Sequence, residues 1–506
     1  MSERGEQKSA QAENADLQEW RARARNLKFR EMHFIHGKFV SSLGSESLPT
    51  INPATGGVIA NYPMGDARDV DMAVRSSRGA FPRWSALALK ERKRLLLQVA
   101  DAISKHREEL ALLDTVEMGK PITLSLGDVD SGIAFLRYYA EAIDKWGGEI
   151  APTDRTAGMT LVTNEPWGVI GGIVPWNFPF FNACLSVAPA LAAGNTITLK
   201  PSEFAPSSAL LFAQIANEVG LPDGVLNVVS GAGTVTGQAL ARHSGVDKLH
   251  FTGSLSTGRQ IMRYSAESNG KPVMLELGGK SPQVIFADAA NIEKMIPTIA
   301  SAAFFNSGQV CVARSRLIVQ ATVANELVDR LVAHCKTYEA GDPLDPSCTF
   351  GPLGSARQYI IVERAVKEAL RTGATAATGV PVLTSRHILP IVLRGVPAES
   401  EVIREELFGP VLTVQEFETD EEALILANDS PLGLAATVWT KDLGRAMTFG
   451  RQLDAGRVEV RCAAGAGAPL EAFGAEPFRS SGFGAQGGRL GFESYLRRKA
   501  IDFITK

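Results

Sequence analysis

Cysteine is scarce in this sequence, which contains five cysteines among 506 residues. The number is odd and no two are spaced as CxxC, so we expect neither a disulfide framework nor a bound metal ion. Free thiols are typical of a reducing compartment, which predicts a cytoplasmic protein. The five are Cys184, Cys311, Cys335, Cys348 and Cys462.

Long apolar runs and an excess of one charge are also missing. No run reaches the roughly 20 residues that cross a bilayer, and the net charge is only −3. We therefore expect neither a membrane nor a nucleic acid among the partners. Residues 1–30 lack the apolar core of a secretory signal and carry acids that a transit peptide avoids. We expect this segment to be a polar, solvated tail, helical over Ala15–Leu27.

Apolar strands alternate with helices from Val169 onward, which predicts a parallel sheet with helices on both faces. Such sheets bind ligands at the carboxyl ends of their strands. A second alternation begins near Val284, so we place a domain change at Glu276–Pro282. The predicted strands are Phe34–Val40 (a pair), Met159–Glu165, Val169–Val174, Thr196–Leu199, Leu226–Val229, Leu249–Phe251, Arg316–Val319, Val411–Glu416 and Ala436–Thr440, and the predicted helices are Asp69–Lys105, Ser125–Lys145, Phe181–Ala193 and Ser207–Val219.

Two of these strands end in residues that suit a dinucleotide. The motif FTGS (251–254) joins a strand to the start of a helix, where backbone N–H groups attract phosphate. Its spacing is not GxGxxG. The motif KPSE (200–203) offers a lysine and a glutamate to ribose hydroxyls. Taken alone, each motif is equally compatible with a structural turn, and that alternative stays open.

Three further segments carry residues suited to catalysis. Prolines flank Asn177 in PWNFP (175–179), and a rigidly held amide N–H is a good oxyanion donor. Glu276 precedes two glycines and suits a general base. Cys311 follows a polar, glycine-containing segment, where N–H dipoles favour the reactive thiolate. The alternatives are that Asn177 is a buried amide bonded to loop carbonyls, that Glu276 is an exposed glutamate at a turn, and that Cys311 is an inert packing residue. The other four cysteines fit the inert role better.

In this order, the motifs resemble those of the aldehyde dehydrogenase superfamily. The resemblance runs from about Phe34 to Ile501 and implies an α/β protein with a Rossmann-like NAD-binding domain, an α/β catalytic domain and a small β oligomerisation flap. It places the NAD-binding domain in residues 31–147 and 167–276, the catalytic domain in 277–480 and the oligomerisation segments in 148–166 and 481–506. The matching motifs are PWNFP (175–179), KPSE (200–203), FTGS (251–254), ELGGK (276–280), GQVC (308–311) and EELFGP (405–410).

The resemblance also implies residue roles in the oxidation of a small-molecule aldehyde to the acid. Cys311 would be the nucleophile, Asn177 would hold the oxyanion and Glu276 would activate water to hydrolyse the thioester. The residues implied to bind the cofactor are Trp176, Lys200, Ser202, Glu203, Gly253, Ser254, Glu406 and Phe408. Because a carboxylate at Glu203 would repel a 2′-phosphate, NAD is expected to be preferred, with NADP possible.

Several positions depart from the family pattern. Ser186 replaces a usual lysine, Gln486 a usual glutamate and Arg461 a usual asparagine, and Ala472-Phe473-Gly474-Ala475 stands for PFGG. The lost lysine and glutamate predict that Glu276 acts more alone. The Ala/Gly-rich loop after Arg461 predicts a wide substrate mouth. Phe178, Phe180 and Phe181 would form an apolar wall of the substrate pocket, which Phe473 would also line, and this suits a bulky or aromatic aldehyde. The alternative is that Phe180 and Phe181 pack into the core.

Two other activities compete with this interpretation. An acyl-transferring semialdehyde dehydrogenase would pass the acyl group to coenzyme A, although the glutamate at position 276 favours hydrolysis. A binding protein on the same fold would retain no catalysis. By the same resemblance, the flap predicts a homodimer or homotetramer.

Overall fold

A computed structural model describes residues 15–152, 158–289, 291–384, 386–465 and 467–504. The helices are α1 (15–25), α2 (Ala67–Ser85), α3 (Leu89–Lys105), α4 (Arg107–Met118), α5 (Ile122–Ala142), α6 (Pro179–Ala192), α7 (Ser207–Glu218), α8 (Gln238–Arg242), α9 (Leu255–Ala266), α10 (Ile292–Phe304), α11 (Ala321–Cys335), α12 (Ala356–Arg371), α13 (Glu401–Arg404), α14 (Asp420–Asn428), α15 (Leu443–Gln452) and α16 (Gly488–Glu493).

The strands of the described residues form three principal sheets and two strand pairs. They are β1 (His33–Ile35), β2 (Lys38–Val40), β3 (Ser47–Ile51), β4 (Val58–Pro63), β5 (Glu149–Ala151), β6 (Met159–Pro166), β7 (Val169–Ile173), β8 (Thr196–Lys200), β9 (Leu226–Val228), β10 (Lys248–Thr252), β11 (Val273–Glu276), β12 (Pro282–Ile285), β13 (Arg316–Gln320), β14 (Thr375–Ala376), β15 (Ile391–Arg394), β16 (Val411–Phe417), β17 (Leu432–Gly433), β18 (Ala435–Trp439), β19 (Arg457–Arg461), β20 (Phe478–Arg479), β21 (Gly482–Phe483) and β22 (Leu496–Phe503).

The first sheet has the strand order β2-β1-β9-β8-β7-β10-β11-β21. Strands β9, β8, β7, β10 and β11 run parallel. Strands β7 and β8 are buried throughout, because helices cover both faces of the sheet. The strand order reverses direction between β7 and β10, which is the switch point where such sheets bind ligands. The predicted dinucleotide motifs therefore lie along one edge.

The second sheet has the order β14-β15-β16-β13-β12-β18-β19. All of its strands except β14 run parallel. It packs between two further apolar clusters. The chain leaves the first sheet at Glu276 and enters the second at Pro282, within the segment where the domain change was predicted. Cys311 and Glu406, which lie shortly before β13 and β16, are therefore at the amino ends of these parallel strands.

A third sheet, β22-β6-β5, is antiparallel and largely exposed. It corresponds to the expected flap, of which residues 153–157 and 505–506 lie outside the described residues. No helix within the described ranges has both the length and the apolarity that a membrane span requires.

Three expectations about the elements were wrong. The helix predicted over Asp69–Lys105 is two helices, α2 and α3. The break between them was missed because residues 86–88 contain no glycine or proline that would signal it. Helix α4 was not predicted, because it is buried on every side from Leu110 to Met118 and so lacks an amphipathic period. Residues 15–29 are not solvated throughout, because Trp20, Ala24, Leu27 and Phe29 pack against the first core.

Candidate active site

Residues 305–315 connect α10 to β13, and we call them the cysteine segment. This segment contacts the loops of the PWNFP and ELGGK motifs, which follow strands of the first sheet. The side-chain amide Nδ2 of Asn177, in the loop after β7, donates to the backbone oxygen of Gln309 at 2.9 Å. Gly279 approaches from the other side, where a Cβ would lie 2.6 Å from the backbone oxygen of Cys311. Only a glycine allows this approach. The predicted catalytic segments 175–179, 276–280 and 308–311 therefore come together.

Unusual backbone conformations bring the cysteine to this position. Asn306, Ser307 and Gly308 follow one another in the left-handed region, with φ of 52°, 55° and 73°. Two of them are not glycine, so this conformation carries a cost that surrounding contacts must offset. The Nδ2 of Asn306 donates to the backbone oxygens of Asn177 at 3.1 Å and of Gln309 at 3.4 Å. The strained turn is thus tied directly to the loop that carries the predicted oxyanion donor.

Cys311 is half-buried, in contrast to Cys184, Cys335 and Cys348, which are buried. Burial raises the pKa of its thiol to about 12, with further increases from the carboxyl groups of Glu406 and Glu276. The backbone N–H groups of Cys311 and Val312 lower this pKa, but by less. Burial and the two acids thus outweigh the N–H dipoles that were expected to favour the thiolate. Cys462, expected to be an inert packing residue, is exposed.

Two carboxyl groups near the cysteine are held in a protonatable state. Burial raises the pKa of Glu276, at the end of β11, well above its usual value, and Glu476 adds to the increase. Burial also raises the pKa of Glu406 to about 7, although Oε1 accepts the backbone N–H of Gly279 at 3.1 Å. A carboxyl group with the pKa of Glu406 exchanges protons readily near neutral pH. Both could therefore accept or release a proton beside Cys311.

The KPSE segment forms a buried ion pair at the edge of the first sheet. Nζ of Lys200 lies 3.0 Å from Oε2 of Glu203, and Oε1 of Glu203 accepts the backbone N–H of Gly233 at 3.4 Å. Ser202 is buried, and its hydroxyl accepts the N–H of Phe204 in the turn. Gly233 was not singled out from the sequence. Its signal was the glycine-rich segment 231–237 that follows β9.

The FTGS turn starts a twelve-residue helix at the carboxyl end of β10. Ser254 is its N-cap residue, and its hydroxyl accepts the N–H of Thr257 at 3.4 Å. The N–H of Gly253 is already used, since it donates to the backbone oxygen of Glu276 at 3.0 Å. This contact joins the two neighbouring motifs, and the other first-turn N–H groups of the helix suit an anion.

Trp176 and Phe408 connect the two halves of the cleft. Their rings lie 5.6 Å apart in an edge-to-face arrangement. Phe408 has a φ of 54°, and Nε2 of Gln358 donates to its backbone oxygen at 3.1 Å. Gln358 thus ties the loop that carries Glu406 and Phe408 to α12.

Two of the aromatic residues predicted to form a wall after Asn177 lie close together in the structure. Phe178 stacks on Phe305 with a centroid distance of 6.3 Å and lies 6.4 Å from Phe181. Phe305, at the end of α10, was not predicted. Phe180 is instead fully buried against Phe212. Phe473 lies elsewhere in contact with Arg457, whose guanidinium carbon is 4.6 Å from its ring centre.

A buried polar network occupies the region of two departures from the family pattern. Nε2 of Gln486 lies 3.0 Å from Nε2 of His250, and the hydroxyl of Tyr495 lies 2.9 Å from Nδ1 of the same ring. Ser186 is fully buried beside Tyr495. Burial lowers the pKa of His250 to about 3, so its ring is neutral at physiological pH. His250 was missed, and its only signal was its place two residues before Thr252 in β10.

Comparison with known proteins covers nearly the whole chain. The model of the aldehyde dehydrogenase family matches residues 39–501. The chain is 42% identical over 444 residues to the NADP/NAD-dependent aldehyde dehydrogenase PuuC of Escherichia coli, covering 87% of this chain and 90% of that protein. It is 39% identical over 478 residues to the aminoacetaldehyde dehydrogenase of Pseudomonas aeruginosa, covering 93% and 94%.

The fold is likewise similar to solved structures. An indole-3-acetaldehyde dehydrogenase crystallised with NAD+ superposes with a TM-score of 0.93 at 40% identity, covering 96% of this chain and 99% of that one. The predicted α/β architecture with a Rossmann-like domain is thereby confirmed.

Proposed function

The chain belongs to the aldehyde dehydrogenase family and is an NAD(P)-dependent aldehyde dehydrogenase, and we propose that it forms a thioester on Cys311 and hydrolyses it to the free acid. The observation that carries this proposal is the 2.9 Å hydrogen bond from Asn177 to Gln309. It puts an amide donor against the cysteine segment, where an oxyanion would need it.

The first step is attack of the Cys311 sulfur on the aldehyde carbon. A carbon–sulfur bond forms, the thiol proton passes to a nearby base, and the carbonyl oxygen becomes an oxyanion. Nδ2 of Asn177 has two N–H groups and uses one for Gln309, so the other is available to that oxygen, together with the backbone N–H of Cys311. When bound, the oxidised nicotinamide supplies the acceptor for the hydride that leaves the same carbon.

The second step is hydrolysis of the thioester. Glu276 accepts a proton from water as the water oxygen attacks the acyl carbon. The carbon–sulfur bond then breaks and the acid is released, and the proton held by Glu276 passes to the departing sulfur, which restores the thiol and the carboxylate. The raised pKa of Glu276 suits it to this role, because a weakly acidic carboxyl group is a stronger base. The glutamate also favours hydrolysis over transfer to coenzyme A.

The residues around the cleft fit a dinucleotide. Lys200 and Glu203 would hold ribose hydroxyls, with Ser202 supporting their turn. Ser254 and the free first-turn N–H groups of α9 would receive the pyrophosphate, and Gly253 would shape the turn that presents them. Trp176, Glu406 and Phe408 would line the nicotinamide half. We propose that NAD is preferred, because Glu203 presents a carboxylate where NADP carries a phosphate, and the related indole-3-acetaldehyde dehydrogenase was crystallised with NAD+.

For the substrate, we propose an aldehyde that contacts Phe178 and Phe181 near the cysteine, with Phe473 farther out. We also propose the domain limits given above and a homodimer or homotetramer built through the β22-β6-β5 sheet. The exposure of that sheet supports the assembly, since Ile150 and Phe503 are 68% and 46% exposed.

The test is NADH formation from NAD with a panel of aldehydes, followed by absorbance, with and without coenzyme A. We expect turnover that does not require coenzyme A, and none in Cys311→Ala. Turnover only with coenzyme A would replace hydrolysis by acyl transfer. Absence of turnover in a protein that still binds NAD would favour a binding protein.

A further inference from the structure

Three arginines surround one glutamate in a pocket beside the cysteine segment. We call this the arginine pocket and define it by Arg314, Arg457, Glu459 and Arg461, with Val312 and Thr437 also lining it. It is a cavity of about 210 Å³. Val312 directly follows Cys311, so the cavity borders the segment that carries the proposed nucleophile.

The second sheet aligns these side chains on one of its faces. Arg457, Glu459 and Arg461 alternate along β19, so they point the same way. Thr437 of β18 lies beside Glu459 on the neighbouring strand β19. Arg314 reaches the same place from the cysteine segment, where Nε donates to the hydroxyl of Thr437 at 3.1 Å and Nη1 donates to the backbone oxygen of Val312.

The charges in the arginine pocket do not balance. Among the described residues, Glu459 is the only carboxylate that pairs with any of the three arginines, at 2.6 Å from Arg457, 3.0 Å from Arg461 and 3.9 Å from Arg314. Three guanidinium groups therefore share one carboxylate. Their side chains are 28%, 16% and 8% exposed, respectively, so solvent compensates little of this excess positive charge.

The arginines also retain hydrogen-bond donors that could face a ligand. Arg461 uses Nε and Nη2 for Glu459 and Nη1 for the backbone oxygen of Gly465. Each terminal nitrogen carries two N–H groups, so one remains on each. This leaves a two-pronged donor of the kind that pairs with both oxygens of a carboxylate.

The neighbouring loop leaves room for a ligand. Residues 463–468 contain only alanine and glycine, and Arg461 and Arg457 bind the backbone oxygens of Gly465 and Ala468. The described residues of that run carry no side chain larger than a methyl group near the arginines. The arginine pocket is thus bordered by cations and by small residues.

We propose that the arginine pocket binds a carboxylate at the far end of the substrate, so that the enzyme oxidises aldehydes which also carry an acid group. This inference rests on the proposed function, because it requires Cys311 to receive the aldehyde end. Phe178 and Phe305 would contact the apolar middle of the same molecule.

The test compares each acid with its own neutral ester. The probes are straight-chain ω-oxo acids of increasing length and 4-formylbenzoate, each beside its methyl ester, at saturating NAD. We expect kcat/KM for the best acid to exceed that of its ester by roughly ten- to a hundredfold, as a charged hydrogen-bonded pair permits. Arg461→Gln should remove most of this preference while leaving kcat/KM of the ester within about twofold, and Arg461→Lys should keep part of it.

Arg394→Gln is the matched control, since Arg394 also pairs with one glutamate but lies on β15 at the other side of the same sheet. It should not change the acid-to-ester ratio. The proposal is overturned if the wild-type enzyme turns over esters as well as acids of every length, or if Arg461→Gln leaves the ratio unchanged. In both cases the esters are still oxidised, so the proposed function survives. Absence of turnover with every acid and ester would overturn both.

Discussion

Asn177 and Gln309 join the two halves of the active site through one hydrogen bond of 2.9 Å. Asn177 follows the central strand of the first sheet, and Gln309 lies two residues before the proposed nucleophile in the approach to the second. This hydrogen bond therefore gives Asn177 a structural role in addition to its proposed role as the oxyanion donor.

Asn177→Asp keeps the shape of this side chain but replaces its donor with an acceptor. We expect kcat to fall by about 10²- to 10³-fold, as for loss of an oxyanion donor elsewhere, with the aldehyde KM changed much less. Steady-state NADH formation measures both. Asn182→Ala is the control, because the side chain of Asn182 donates to Oδ1 of Asn177 at 3.4 Å and has no proposed role toward the oxyanion. An equal loss in the control would show that loop position matters and the donor does not.

Glu406→Gln should make the Cys311 thiol more reactive in the ligand-free protein. A negative carboxylate opposes formation of a negative thiolate, so its removal lowers the pKa of Cys311. The pH dependence of Cys311 alkylation by iodoacetamide should therefore shift to lower pH. Glu405→Gln, at the exposed neighbouring position, should leave the profile unchanged. No shift in Glu406→Gln would mean that burial and Glu276 set this pKa without Glu406.

Glu203→Gln should weaken the preference for NAD. Without its negative charge, the site no longer repels a 2′-phosphate, and we expect the ratio of kcat/KM for NADP to that for NAD to rise about tenfold, near 1.4 kcal/mol. Glu218→Gln on α7 serves as the control. An unchanged ratio would place the source of the cofactor preference elsewhere in the cleft.

His250 should make the folded state sensitive to acid. Its pKa is about 3 in the fold and about 6.5 when unfolded, so only the unfolded chain takes up a proton between those values. The free energy of unfolding should therefore fall as the pH decreases below 6.5. Urea titrations across this range should show a shallower decline in His250→Gln than in the parent. His36→Gln, at an exposed position, is the control and should decline as the parent does. Equal slopes in the parent, His250→Gln and His36→Gln would contradict the account.

The sequence was informative wherever a motif ended a strand of the first sheet. Lys200, Thr252 and Glu276 close β8, β10 and β11, and a parallel sheet necessarily gathers such ends along one edge. Glu406 and Cys311 precede strands of the second sheet, and no rule about strand ends predicts that its amino edge faces the first. Their positions followed only from the family resemblance.

Contacts between distant segments were beyond the sequence as well. Nothing in residues 306–308 indicates three successive left-handed conformations, since only one of them is glycine. Arg461 was noticed as a departure from the family pattern, yet its pairing with Glu459 and its proximity to Arg314 depend on the register of β18 and β19 and on the path of the cysteine segment. The charge of the pocket emerges only from the packed structure.

The most direct test of the thioester on Cys311 is the mass of the protein during turnover. In Glu276→Gln the proposed base is lost, so acyl-enzyme should form in the presence of NAD and aldehyde but hydrolyse slowly. Intact-protein mass spectrometry should show a gain equal to one acyl group, and peptide mapping should place it on Cys311. An unmodified Cys311 while this variant still produces a stoichiometric burst of NADH would contradict the account.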